Sequence, residues 1–217
     1  MSDNVDKNKA KKIFSILKKE YPKVKPELEF SNSFELLIAT ILSAQCTDER
    51  VNKVCKILFK KYHEPKDFLR VNQKELEKDI FSTGFYHQKA KNIIQCCKIL
   101  VDKYDSKVPE NFENLTQLPG VGRKTASVVA GNAFGIPSIA VDTHVKRLSN
   151  LLGFINSDNP EEIESKLRDL LPMSDWINSS HYLAMHGRKI CIARKPQCMK
   201  CVLADECPGF NSYYNKL

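Results

Sequence analysis

Near the end of the chain, Cys191, Cys198, Cys201 and Cys207 fall in the order C-x6-C-x2-C-x5-C. Four thiols so close together suit a tetrahedral zinc ion or a four-iron cluster, both of which cysteine thiolates hold. Zinc sites usually present two short cysteine pairs. Here only Cys198 and Cys201 make one, so the spacing favours iron and sulfur. The loop after Cys191 carries Arg194 and Lys195 side by side. A cluster at its base would hold that basic loop against a polyanion such as DNA, and a redox role is the competing reading. The remaining cysteines, Cys46, Cys55, Cys96 and Cys97, are scattered over helical segments and read as small buried apolar residues.

A second group of residues lies in Leu118-Pro119-Gly120-Val121-Gly122-Arg123-Lys124-Thr125-Ala126. Pro119 ends the preceding helix, Gly120 and Gly122 are expected to take positive φ in a tight turn, and helical periodicity resumes through Thr125, Val128, Val129 and Ala133. The first N–H groups of the new helix have no intrahelical partners and carry the positive end of its dipole. The turn, with Arg123 beside it, can therefore hold a phosphate without reading a base. A plain helix-turn-helix connection would look the same. Lys124 falls in the first turn, where the dipole and Arg123 disfavour an ammonium and leave more neutral amine to attack carbon; its plainer role is one more phosphate contact. Further on, Val141-Asp142-Thr143-His144-Val145-Lys146-Arg147 opens another helix. Asp142 is placed to cap it, and facing a cleft it would also stabilise positive charge developing on a sugar or exchange a proton with an amine. His144 and Arg147 follow as phosphate contacts or as cover for the helix surface.

Helices position these groups. Ala90, Ile93, Ile94, Cys97, Leu100, Val101 and Tyr104 make one apolar stripe, and Ile13, Phe14, Ile16, Leu17 and Tyr21 make a shorter one. Asn32 or Ser33 is expected to cap a helix through Phe34, Leu37, Ile38 and Ile41, and Asp48 another carrying Val51, Val54, Leu58 and Tyr62. Asn159, followed by Pro160, Glu161 and Glu162, starts a third. The short apolar run Ser138 to Val141 has strand character but no partner, so the fold class is all-α. Pro22, Pro65, Gly84, Pro109, Pro119, Gly135 and Pro137 are expected between helices, with no floppy linker to mark a domain boundary.

The chain has 217 residues, enough for one or two globular domains that need no stapling. Thirty-four Lys and Arg against twenty-six Asp and Glu give a net charge of +8, which points toward a polyanionic partner without identifying one. The longest largely apolar stretch, Leu36 to Ala44, is far short of a membrane span. The opening MSDNVDKNKAKK lacks the apolar centre of a secretory signal. A reducing compartment is expected, in which the cysteines are thiols or metal ligands.

Taken together, LPGVGRKTA, VDTH at this distance from it, and C-x6-C-x2-C-x5-C resemble the endonuclease III family, bifunctional DNA glycosylases of the helix-hairpin-helix superfamily. Leu36-Leu37-Ile38-Ala39 and the following Leu42-Ser43-Ala44-Gln45-Cys46-Thr47-Asp48 resemble that family's early helix and loop. The resemblance runs from about residue 10 to about residue 207. It implies two helical lobes flanking a DNA-binding cleft: a six-helix barrel over residues 26–136 with the helix-hairpin-helix, and an iron-sulfur domain from residues 1–25 and 137–217. It further implies a [4Fe-4S] cluster on the four C-terminal cysteines, Lys124 as nucleophile and Asp142 as catalytic carboxylate. The target nucleotide is then flipped from the duplex, and the implied substrates are oxidised pyrimidines and abasic sites in double-stranded DNA. Gln45 matches the family residue that fills the gap in the stack. Phe85 stands where the family often has a leucine wedge. A monomer is expected, cytoplasmic and nucleoid-associated if the source is bacterial. The rivals are a mismatch-specific glycosylase of the same superfamily, a non-enzymatic DNA-binding module with a structural metal, and a small iron-sulfur electron carrier.

Overall fold

In a computed structural model the described residues are 2–210, with side chains described from residue 7. The hydrophobic periodicity resolves into eleven helices among them: α1 (Ser2–Glu20), α2 (Ser33–Leu42), α3 (Asp48–Lys61), α4 (Pro65–Arg70), α5 (Gln73–Ile80), α6 (Tyr86–Tyr104), α7 (Phe112–Thr116), α8 (Arg123–Phe134), α9 (Thr143–Leu151), α10 (Pro160–Leu170) and α11 (Trp176–Lys189). Short 3-10 turns such as Phe81–Thr83 and Cys198–Lys200 connect some of them, and no strand occurs among the described residues. None of these helices is long and apolar enough to cross a membrane.

Contacts divide the chain into two units. The first, Pro26–Ile136, is built around α2, whose residues from Phe34 to Leu42 are buried apart from Glu35. A helix that is apolar all round belongs in the middle of a core, not on its edge. This accounts for the run at Leu36 to Ala44. Thr40 survives there because its hydroxyl donates to the Leu36 carbonyl at 2.7 Å. Helices α3, α6 and α8 pack around α2, and α4 and α5 lie on α6. The stripe predicted on α6 contributes Ala90, Ile93, Cys97 and Leu100 to this core.

The second unit joins the residues up to Lys25 to those from Pro137 onward. Helices α1 and α9 both pack on α11, and α10 lies against α1 and α9. Ile13 and Leu17 meet Leu148, Ile163, Leu167 and Leu183 in its core.

Three local expectations need correction. Thr47, not Asp48, caps α3, its hydroxyl accepting from the Arg50 N–H, while Asp48 sits one residue inside where its charge still favours the positive end. Pro65 opens α4, since the first helical position needs no N–H, so it is not a breaker between helices. Gly122 does not adopt positive φ: it has φ −85° in extended geometry, and Gly120 alone supplies the left-handed step. The caps at Asn32 and Asn159 are as the sequence suggests, accepting from the Glu35 and Glu161 N–H groups. Ser138–Val141 runs without secondary structure, and the Ala140 N–H is satisfied by Ser180 Oγ at 2.9 Å.

Candidate nucleic-acid interface and cluster site

The hairpin that precedes α8 is set by Gly120. Its φ of +80° suits glycine, and a Cβ there would stand 3.1 Å from Asn92 Cβ and 3.3 Å from Ile41 Cγ2. Leu118 and Val121 anchor the turn in the core, and the Val121 N–H returns to the Leu118 carbonyl at 3.0 Å. Gly122 then caps α8 without a side chain, and a Cβ at Gly122 would meet nothing within 4 Å. Gly122, Arg123 and Lys124 are all exposed. The Arg123 guanidinium lies over the Phe112 ring at 5.3 Å, which fixes it beside the turn. The positive end of α8, a planar cation and an exposed lysine thus follow one another at the hairpin, a combination suited to a phosphate.

Gln45 and Phe85, separated by 40 residues, lie on two loops of the same unit and share an unusual backbone. Both are exposed non-glycine residues in the left-handed region, with φ of 52° and 49°. Such residues are uncommon and tend to mark functional loops. Phe85 leaves 64% of its surface exposed at the start of α6. An exposed apolar ring at a helix start can wedge between bases.

In the second unit Asp142 caps α9 by accepting from the His144 N–H at 2.9 Å and the Val145 N–H at 2.8 Å. One carboxylate oxygen, Oδ1, takes both bonds. The neighbourhood of Asp142 includes two groups that the sequence reading missed, His181 and Arg188 on α11. Burial, helped by the Arg188 charge, pushes the His181 imidazole below its ordinary range while Asp142 pulls it back. Burial likewise lowers His144, against the pull of Asp142. No short-range signal joins α11 to Asp142, because the pairing arises only when α9 packs on α11. Arg147, expected as a phosphate contact or as cover for the helix surface, is placed otherwise. Its guanidinium turns inward, donating to the carbonyl of Gly187 at 3.0 Å and to that of Cys191, and so ties α9 to the start of the cysteine segment.

Cys191, Cys198, Cys201 and Cys207 are partly buried free thiols that line a single small pocket of about 30 Å³, walled also by Leu151, Ile190, Pro196 and Phe210. Zinc at about 2.3 Å from each sulfur would draw four thiolates into a tight tetrahedron. Four sulfurs around one pocket, in an order that lacks the two short pairs usual for zinc, fit an iron-sulfur cluster. The surroundings are built to orient them: His186 Nε2 lies 3.3 Å from Cys201 Sγ, the Tyr21 hydroxyl meets His186 Nδ1 at 3.0 Å, and the Leu203 N–H points at Cys201 Sγ. Burial pushes the Cys201 thiol up to about 11 and raises Cys191 and Cys207, so ligation as thiolates releases protons. Arg194 and Lys195 stand exposed on the loop that this segment closes.

Comparison with known proteins agrees with this geometry. Residues 38–173 match the family model described as HhH-GPD superfamily base excision DNA repair protein, and residues 191–207 match the iron-sulfur binding domain of endonuclease III. The endonuclease III of Synechocystis is 49% identical over 204 residues, which cover 94% of this chain and 93% of that protein. A non-covalent endonuclease III–DNA complex superposes with a TM-score of 0.94 at 45% identity, covering 96% of this chain and 98% of the other. A trapped endonuclease III–DNA covalent intermediate does so with a TM-score of 0.90 at 46% identity, covering 94% and 98%. The chain belongs to the endonuclease III family of the HhH-GPD base excision repair superfamily, and its last four cysteines form that family's iron-sulfur binding domain.

Proposed function

We propose that the chain excises oxidised pyrimidines from duplex DNA and then nicks the strand, with Lys124 as nucleophile and Asp142 as the assisting carboxylate. The observation that carries this reading is Lys124 itself, an exposed amine in the first turn of α8 directly behind the phosphate-binding hairpin. A glycosylase that activates only water needs a carboxylate, whereas one that also cuts the backbone needs an amine. The Lys124 Nζ lone pair bonds to C1′ of the flipped nucleotide as the glycosidic bond breaks, and that electron pair leaves with the base. Nitrogen gives up a proton, the C1′–O4′ bond breaks with its electrons and a proton passing to O4′, and the opened sugar is left as a Schiff base on the lysine. Its electron-withdrawing imine lets the C2′ proton depart, and elimination expels the 3′ phosphate. Water then hydrolyses the imine and returns the lysine. Asp142 is the group that stabilises positive charge on the sugar and carries protons to and from the amine.

The Gly120–Gly122 hairpin and Arg123 hold the backbone of the strand, Arg194 and Lys195 add phosphate contacts, and His144 and Arg147 line the start and inner side of α9. Gln45 fills the gap left by the flipped nucleotide and Phe85 wedges the stack open. Cys191, Cys198, Cys201 and Cys207 hold a [4Fe-4S] cluster, which supplies a rigid base for the Arg194–Lys195 loop when bound. The enzyme acts as a monomer in the cytoplasm, on nucleoid DNA. The test is borohydride trapping with duplexes containing thymine glycol, an abasic site or no lesion. The protein is expected to nick and trap the first two, and Lys124→Gln to bind them without a trapped adduct. A full yield of adduct from that variant overturns the assignment.

A further inference from the structure

Lys89 is buried, 4% exposed, in a chain whose other lysines mostly lie at the surface. It stands in the first turn of α6, where its backbone N–H already bonds the Phe85 carbonyl at 3.0 Å. Its ammonium donates to two backbone carbonyls at 2.8 Å each, Leu42 at the end of α2 and Thr83 at the end of the 3-10 turn Phe81–Thr83. Leu42 lies three residues before Gln45, and Thr83 two residues before Phe85. A helix C-terminal carbonyl has no intrahelical partner and sits at the negative end of its dipole, so a cation suits it. Burying that cation is costly unless it is fully bonded. A lysine serves here because one ammonium can bond two carbonyls that diverge, each with its own loop.

Each loop that leaves these carbonyls carries an exposed non-glycine residue in the left-handed region, Gln45 on one and Phe85 on the other. From this juxtaposition we infer that Lys89 is a positioning residue: a single ammonium fixes the separation of the two loops, so that Gln45 and Phe85 enter the base stack as one device. This rests on the reading of Gln45 and Phe85 as the groups that enter the stack. Lys89 touches neither substrate nor the reacting atoms. Its effect runs through those two side chains, which a core lysine holding the fold alone would not require.

The test is a cycle of single-turnover base excision on a thymine glycol duplex, using Q45A/F85A, K89M and the triple variant, with melting curves for each. K89M is expected to slow excision 10- to 100-fold, the range expected when reacting groups are displaced by up to about 1 Å. Q45A/F85A should slow it comparably, and adding K89M to Q45A/F85A should cost less than a further threefold, since residues that act through one another are not additive. If K89M slows the Q45A/F85A background as much as the wild type, Lys89 holds the fold only and the inference falls. If Q45A/F85A excises normally, the reading of those two side chains falls and the inference with it. Should K89M fail to fold, K89Q, which keeps two N–H donors, takes its place in the same cycle: it is expected to show the same non-additivity with a smaller loss, and additivity overturns the inference.

Discussion

Asp142 has two jobs that can be separated by substitution. As the cap of α9 it accepts two backbone N–H bonds, at 2.9 and 2.8 Å, and places its charge at the positive end of the helix. Asparagine caps as well as aspartate, so Asp142→Asn keeps the bonds and loses only the charge, which near a helix start contributes about 0.3–1 kcal/mol. For a chain of this size about 1 kcal/mol moves Tm by ~2–4 °C, so the variant should melt ~1–4 °C lower. Asp142→Ala loses the cap as well, about 0.5–2 kcal/mol more, and should melt ~2–12 °C lower. The two variants therefore bracket the structural role. If the carboxylate also handles protons and sugar charge, both should lose excision by the same factor of roughly 10²–10⁴ despite their different stabilities. The assay is single-turnover excision from a thymine glycol duplex, well below either melting temperature. Activity that follows stability, with Asp142→Asn near wild type and Asp142→Ala reduced, would refute the argument and leave Asp142 a cap alone.

The two hairpin glycines should respond oppositely. Gly120→Ala forces an L side chain to φ +80° with its Cβ 3.1 Å from Asn92 Cβ, and should destabilise the protein by about 2 kcal/mol, read in a thermal melt; a variant that melts like wild type would contradict the turn geometry. Gly122→Ala meets no neighbour within 4 Å and should melt within about 0.5 kcal/mol of wild type, yet bind abasic-site duplex more weakly because the methyl stands where the strand approaches. Unchanged binding would remove Gly122 from the interface. On the cluster loop, Arg194→Ala and Lys195→Ala should each reduce the slope of log affinity against log salt by about 1 without altering lesion preference, and an unchanged slope would take that side chain off the phosphates.

Fold and site were legible in the sequence to the extent that their causes are local. Asn32 and Asn159 could be read as caps because the N–H groups they bind lie two or three residues away, and α6 because its stripe repeats within one element. Thr47 and Asp48 are both capping types in adjacent positions, and only the path of the chain into α3 selects the threonine. Gly122 misled for a related reason: two glycines in a turn advertise conformational freedom, but the turn uses it only at Gly120. What Gly122 presents is an exposed face with no side chain, a property that φ and ψ do not record.

The residues that escaped the sequence are those whose role is conferred by a partner far along the chain. Lys89 is one cation among thirty-four; helical spacing puts it in register with Ile93, Cys96 and Leu100 and opposite Lys91 and Lys98, but nothing nearby in the sequence names the carbonyls it bonds. Burial and two carbonyls, one of them 47 residues away, make it different. His181 enters the surroundings of Asp142, and His186 those of Cys201, because α11 packs in this way. Arg147 reads as a surface cation and instead bonds two carbonyls at the head of the cysteine segment. A motif names the groups that touch the substrate, since a reaction needs particular atoms at a short spacing. The groups that hold those atoms in place need only a charge or a donor at the right end of a long-range contact. The far partner in such a contact leaves no local pattern, so in this protein the scaffolding of the site becomes visible only once the packing is known.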